Sequence, residues 1–369
     1  MSGRFLRNVF VKGLVLFLLI NLAFVAINPV GLGRISLYNS VFPGRHRFPF
    51  GEDPAQSYNL SLFNLDAMFA SHIIAAGPKP AGEYRVVVIG DSSIWGILIR
   101  PEQTLAGQLE QAGLNLCGKK VRVYNLGYPT ISLTKDLMVL DYAMRYQPDL
   151  IIWPMTMEAF PLDSQLTSPI VANNAVIVKA LIARYQLPLD PRDPAFVHSS
   201  IWNQTLISQR RSLADLFRLQ MYGVLWSATG IDQSYPVDYE HAQTDLVSDV
   251  AYHGMQPPTL DESKLAFSVL EAGLQVAGKT PVLLVNEPIL VSSGKNSALR
   301  YNYYYPRWAY DQWRQMMKHK AANLGWDYLD LWKLVPADHF TNSAIHMTPV
   351  GEALLTGRVE QTILQQSCP

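Results

Sequence analysis

The sequence predicts an α/β protein: a five-stranded parallel sheet, doubly wound, with helices on both faces. Three observations carry that prediction. Short runs rich in β-branched residues recur along the chain, amphipathic segments alternate with them, and the first run ends in a turn of small residues. Ligands bind at such strand ends in open parallel sheets.

The chain opens with Arg4, Arg7 and Lys12, followed by an apolar run from Gly13 to Ile27 in which Asn21 is the one strongly polar residue. A bilayer core takes roughly 17 to 25 apolar residues in a helix, and continuing the run through Pro29, Val30 and Leu32 reaches that length. A cleaved signal peptide has the same basic and apolar regions. Phe24 and Ala26 make a poor small-x-small cleavage site, so residues 1–35 are expected to be an uncleaved signal anchor. The charges precede the helix, which predicts a single pass through the cell membrane with everything downstream extracytoplasmic. Residues 36–80, punctuated by Pro43, Gly44, Pro49, Gly51 and Pro54, read as an extended linker on the surface of a domain spanning 81–369.

Within that domain the strand candidates are Tyr84 to Ile89, Lys120 to Asn125, Asp149 to Trp153, Thr280 to Val285 and Trp326 to Leu329. Helix candidates lie at 103–113, 134–146, 262–277, 308–324 and 349–364. The alternation breaks between about 160 and 260, which reads as a large, mainly helical insertion. Inside it, Leu213, Leu216, Phe217, Met221, Val224 and Leu225 fall near a helical period between Arg210 and Ala228. That pattern fits a buried helix; with Tyr222 and Trp226 it also fits a lid or membrane-facing helix.

Lys and Arg number 30, as do Asp and Glu, so no broad basic field exists to hold a nucleic acid. Cys117 and Cys368 are too few for a disulfide framework or a zinc site. The turn Gly90-Asp-Ser-Ser-Ile-Trp-Gly96 has neither dinucleotide-binding nor Walker glycine spacing, so no cofactor is expected.

Ser92 sits in that turn directly after the first strand, where a hydroxyl projects into the crevice and backbone N–H groups point at the same space. A plain Asp-Ser helix cap has the same sequence. A serine hydroxyl needs a base to take its proton. His346 lies in Phe340-Thr-Asn-Ser-Ala-Ile-His-Met-Thr-Pro-Val-Gly351, a loop leading into a helix that Thr348 would cap and Pro349 would open. His72, His253 and His339 lack that setting.

Gly90-Asp-Ser, Asn125-Leu-Gly127 and His346 followed by Gly351 together resemble the SGNH (GDSL-like) hydrolase family, over roughly residues 84 to 364 apart from the insertion. The resemblance implies a three-layer α/β/α, flavodoxin-like fold. It also implies Ser92 as nucleophile, His346 as base, and the backbone N–H groups of Ser92 and Gly127 as an oxyanion hole. Two positions depart from the family pattern. The third block, Gly-x-Asn-Asp in the family, is Thr156-Met-Glu-Ala159 here, which leaves Thr156 as the replacement donor and puts Glu158 where the asparagine would stand. The acid expected three residues before the histidine is Ser343, so Asn342 and Asp338 are the candidates for orienting the imidazole.

Trp95 and Tyr128, which follow the nucleophile and the second glycine, are candidate cleft walls. Glu287, at the fourth strand's end, is a candidate substrate contact. The tyrosines of Tyr301-Asn-Tyr-Tyr-Tyr305, with Trp308, offer stacking surface for a sugar ring. The family resemblance implies hydrolysis or transfer of acyl esters, with an acylated, most simply acetylated, envelope or secreted glycan as substrate and a membrane-bound O-acyltransferase as partner. Alternatively, it keeps the fold, has weakened catalysis and binds glycan.

Overall fold

The computed structural model describes residues 2–27, 44–48, 50, 63–197, 200–229 and 238–365. Six strands form one sheet: β1 Glu83–Val88, β2 Asn115–Leu116, β3 Lys119–Asn125, β4 Leu150–Met155, β5 Val282–Asn286 and β6 Asp327–Asp330. Their order is β2-β3-β1-β4-β5-β6. The five predicted strands are parallel to one another. The expected count of five misses β2, which pairs antiparallel with β3 through Asn115 and Leu116. Its hairpin turns on Cys117 and Gly118, both at positive φ (52 and 74°). Two-residue hairpins of this twist favour Asn-Gly or Asp-Gly, and a cysteine in the first position gives no such signal.

The helices are α1 Gly3–Ile27, α2 Leu65–Ser71, α3 Ser92–Trp95, α4 Leu105–Gln111, α5 Leu133–Ala143, α6 Pro169–Asn173, α7 Ala175–Tyr185, α8 Leu206–Thr229, α9 Phe267–Ala277, α10 Arg307–Leu324 and α11 Pro349–Ile363. β1 and β4 are buried along their whole length, as central strands of a parallel sheet covered on both faces must be. Side chains alternate between two cores. Val87, Ile151, Trp153 and Leu284 pack with α5, α9 and α10 through Leu137, Leu140, Leu270 and Trp313. Val86, Val88, Ile152 and Val285 pack with α4 and α11 through Leu105, Leu109, Leu355 and Val359. The result is three layers, helix over sheet over helix.

The described part of the expected surface linker is not an extended surface strand. Phe48, Met68, Phe69 and His72 are fully buried, and residues 65–71 form α2. Phe69 stacks on Tyr142 of α5 at 4.3 Å and meets Phe48 edge-on at 4.9 Å. Proline and glycine spacing reports turns but says nothing of burial, and here the aromatic residues between them decide the outcome. The rest of that stretch, 36–43, 49 and 51–62, lies outside the described residues.

Between 160 and 260 the described residues form no strand; they supply α6, α7, α8 and an irregular run from 238. α1 is long and apolar enough to cross a membrane, with a mean hydropathy of 2.5 in its most apolar window and almost no burial against the domain.

Candidate active site

β1 and β3 lie side by side, and the chain then returns to β4 on the other side of β1. The strand order therefore reverses between β1 and β4, where open parallel sheets form their crevice. The segment after β1 turns at Gly90 into α3, a single helical turn. Asp91 caps it by accepting from the Ser93 N–H at 2.8 Å. Gly96 closes it in the left-handed conformation (φ 86°), and a Cβ there would lie 2.3 Å from Thr104 Cγ2. Ser92 is the first residue of the turn, so its N–H has no intrahelical acceptor.

Beyond β6, Phe340 and Met347 bridge antiparallel, closing a tight loop in which the Thr341 N–H donates to the His346 carbonyl at 2.8 Å. Thr348 then caps α11 by accepting from the Gly351 N–H. The loop sets His346 Nε2 2.8 Å from Ser92 Oγ, across 254 residues of sequence. On the other side of the ring, Nδ1 lies 2.8 Å from Asn342 Oδ1. An amide oxygen only accepts, so Nδ1 carries the proton and Nε2 is left as the acceptor for the serine hydroxyl. Burial pushes the His346 pKa down to about 4.

Of the two candidates for the orienting group, the structure brings only Asn342 to the ring. Asp338 is exposed, in a short 3-10 turn at Ala337–His339. Ser343, at the family's acid position, instead shares a hydrogen bond with the Tyr303 hydroxyl at 3.0 Å. The bridged loop places position −4, not −3, beside the imidazole.

The oxyanion candidates fare differently. The Gly127 N–H donates to Asn125 Oδ1 at 3.0 Å, so in this arrangement it is already engaged. Gly127 answers to packing instead: a Cβ would lie 2.6 Å from the Trp95 nitrogen, because the end of β3 presses on α3. The Thr156 hydroxyl is buried and hydrogen-bonded to the Tyr305 hydroxyl.

The expected cleft walls are core. Trp95 is buried, donates from Nε1 to the Phe48 carbonyl at 2.8 Å, and lies under the Arg47 guanidinium. Arg47 in turn donates to the carbonyls of Trp95, Gly96 and Ile99, clasping the end of α3. Tyr128 is fully buried with its ring edge-on to Phe50. Of the tyrosine cluster, Tyr301 and Tyr305 are buried, and Tyr305 stacks on Tyr310 of α10 at 4.9 Å. Trp308 Nε1 is held by the Val250 carbonyl.

Glu287 is buried and accepts from the Ser93 hydroxyl. Burial, then the nearby Asp91 carboxylate, raises its pKa well above the ordinary range, so it supports the floor of the Ser92 turn as a neutral acid. Glu158 accepts from His253 at 2.9 Å, and the other ring nitrogen of His253 lies 3.0 Å from Asp163. This half-exposed acid–imidazole–acid group ties the irregular insertion run to the segment after β4.

Sequence reasoning missed three positioning groups. Lys135, fully buried in α5, donates to the carbonyls of Gly90 and Tyr128 and pairs with Asp136 at 2.6 Å, so one ammonium pins the segments after β1 and β3 together. Asn125 bridges the same segments, donating to the Ile94 carbonyl at 2.6 Å. Tyr303 accepts from the Ala344 N–H at 3.0 Å and so holds the histidine loop. A lysine at the third position of an amphipathic helix reads as solvent-facing, and nothing local marks it as buried.

No family model matches the sequence, and no curated protein does. Among solved structures the chain is similar to a lipolytic protein of the G-D-S-L family from Veillonella parvula, at 9% identity and a TM-score of 0.38, covering 76% of this chain and 99% of that one. It is similar also to an aryl esterase of M. smegmatis (13% identity, TM-score 0.35, 76% and 98% covered). A carbohydrate acetylesterase from Sinorhizobium meliloti gives 13% identity, a TM-score of 0.33 and the same coverage. At these scores the likeness adds nothing to the site, whose reading rests on the distances above.

Proposed function

We propose that this protein is a membrane-anchored serine esterase or O-acyltransferase that acts on an acylated, most simply acetylated, glycan outside the membrane. The observation that carries the proposal is the unbroken relay from Asn342 Oδ1 through the His346 ring to Ser92 Oγ, with both contacts at 2.8 Å. In it, Ser92 Oγ attacks the ester carbonyl as its proton passes to His346 Nε2. The imidazolium then gives that proton to the leaving alkoxide, and an acyl-serine remains. Water, or a sugar hydroxyl, loses its proton to the same nitrogen as it attacks the acyl carbonyl, and the serine is regenerated. The Ser92 N–H contributes to holding the oxyanion, and Gly127 joins it once its N–H is released from Asn125.

The low pKa of His346 supports the role of base, since a neutral imidazole is present throughout the physiological range. Two further features favour an extracytoplasmic setting. α1 is a candidate span behind basic residues, and Cys117 is disulfide-bonded, as cysteines are in oxidising compartments. Its fellow cysteine, Cys368, lies outside the described residues.

The engaged Gly127 N–H and Thr156 hydroxyl favour a second reading, in which the same cleft binds an acylated glycan without turning it over. One experiment separates the two. The purified full-length chain is offered a chromogenic acetyl ester and acetylated oligosaccharides, alongside Ser92→Ala. Acetate release by the native chain that Ser92→Ala abolishes supports the esterase. Saturable oligosaccharide binding by both proteins, with no release by either, supports the binding protein.

A further inference from the structure

We infer that α8 is a membrane-surface helix: with the loop before it, it beds in the outer lipid–water interface beside α1. The inference rests on reading α1 as the membrane anchor and extends it to a second element.

Asn21 joins the two helices. It is the one strongly polar residue in the apolar run of α1, and its side chain is buried where most of that helix is exposed. Its Nδ2 donates to the Phe17 carbonyl one turn back at 2.9 Å. Its Oδ1 accepts from the backbone N–H of Ile207, at the first turn of α8. The first N–H groups of a helix have no intrahelical acceptor and normally turn to a cap or to water. Within lipid there is no water, so a polar side chain must serve. Asn21 supplies that acceptor at the contact between the two helices.

Depth follows from helix geometry. Asn21 is six residues before the end of α1 at Ile27, about 9 Å along the axis at 1.5 Å per residue. With the span taken as the apolar helix Gly3–Ala26, the start of α8 is held within about two turns of its outer end, where upper acyl chains meet the headgroups. α8 is not itself a candidate span, and its composition fits the surface. It carries Arg210, Arg211 and Arg218 against a single acid, Asp215, and its apolar and polar residues are mixed along the helix. Phe217 and Met221, one turn apart, are 68% and 74% exposed. Ahead of the helix, Val197, Ile201 and Trp202 are exposed as well. A tryptophan and arginines flanking exposed apolar residues are the side chains that interfaces favour. Lipid is the occupant these features share, because the surface is continuous with a helix whose only suitable solvent is the bilayer. The side chain of Trp226, a member of the apolar pattern in the sequence, is outside the described set.

The test uses the full chain reconstituted in vesicles of phosphatidylcholine and phosphatidylglycerol. Single variants Leu16→Cys, Met221→Cys and Leu354→Cys carry an environment-sensitive fluorophore, quenched either by nitroxide-bearing lipid or by aqueous iodide. Leu16 lies on α1, and Leu354 is exposed on α11 as the aqueous reference. The expected result is several-fold stronger lipid quenching at Leu16 and Met221 than at Leu354, with the reverse order for iodide. Lipid quenching at Leu16 with iodide quenching at Met221 equal to that at Leu354 overturns the inference and leaves the anchor standing. Protection of Met221 from both quenchers also overturns it, in favour of a protein partner. Absence of lipid quenching at Leu16 overturns the anchor and the inference with it.

Discussion

The floor beneath Ser92 and the pair of helices α1 and α8 solve opposite problems. Beneath the serine, charged and polar groups are withdrawn from water, and nearly every one finds a partner inside the protein: Lys135 on two carbonyls, Asn125 on Ile94 and Gly127, Ser93 on Glu287. Along most of α1, and at Phe217 and Met221 of α8, apolar side chains are exposed instead, while Leu213 and Leu216 of α8 are buried. The first region holds its geometry with groups of its own. The second is complete only with a surrounding medium. Function at the serine should therefore be sensitive to single atoms, whereas the outer helices should tolerate substitution until a membrane is present.

The largest test of that contrast is removal of the two groups proposed to react. Ser92→Ala or His346→Ala should lower kcat/KM for an acetyl ester by at least about a thousandfold while thermal unfolding stays cooperative. Phe217→Ser on α8 should leave activity on a soluble ester within about twofold, since surface substitutions away from such networks have little effect. Next comes stability. Lys135→Met strands Asp136 in the core and should cost about 3 to 5 kcal/mol, read from urea unfolding. Met221→Ser in detergent should change stability by no more than about 0.5 kcal/mol.

A smaller effect is expected from Tyr303→Phe. It leaves the Ala344 N–H without its acceptor, at about 1 to 3 kcal/mol. Because that N–H lies in the histidine loop, the loss should appear in kcat more than in KM.

The pH profile sharpens the comparison further. His346 is neutral above about 4, so activity should persist into acid and fall only as the ring gains its proton near that value. Asn342→Asp places a carboxylate on Nδ1, stabilises the imidazolium, and should move the acid limb to higher pH. The smallest effect belongs to His253. Its hydrogen bond to Glu158 raises its pKa to about 9. A raised value means the contribution to stability is fully present below about 6.5, the ordinary value, and is lost as pH rises through about 9. The unfolding temperature should fall across that window in the native chain and change less in His253→Gln.

Much of the core was legible because its signals are local. The five parallel strands and the helices against them each carry their own periodicity, and the serine and histidine segments sit where strand ends and helix starts put them. What escaped was set by distant contact. Phe48 and Phe69 make a core segment of what reads as linker, and Lys135 faces inward only because two strand-end carbonyls await it. Trp95 and Tyr128 are walled in by Arg47, Phe48 and Phe50, which no local pattern foretells. The choice of Asn342 over Asp338 depends on one bridge, Phe340 to Met347, that changes the spacing by a single residue.

The central claim is that Ser92 is an activated nucleophile. Its most direct test is the intact mass of the full-length chain after exposure to a fluorophosphonate, followed by peptide mapping of the adduct. The account predicts one adduct per chain, located on Ser92, lost in Ser92→Ala and strongly slowed in His346→Ala. A folded native chain that gains no mass, or that carries the adduct on another residue, would contradict it.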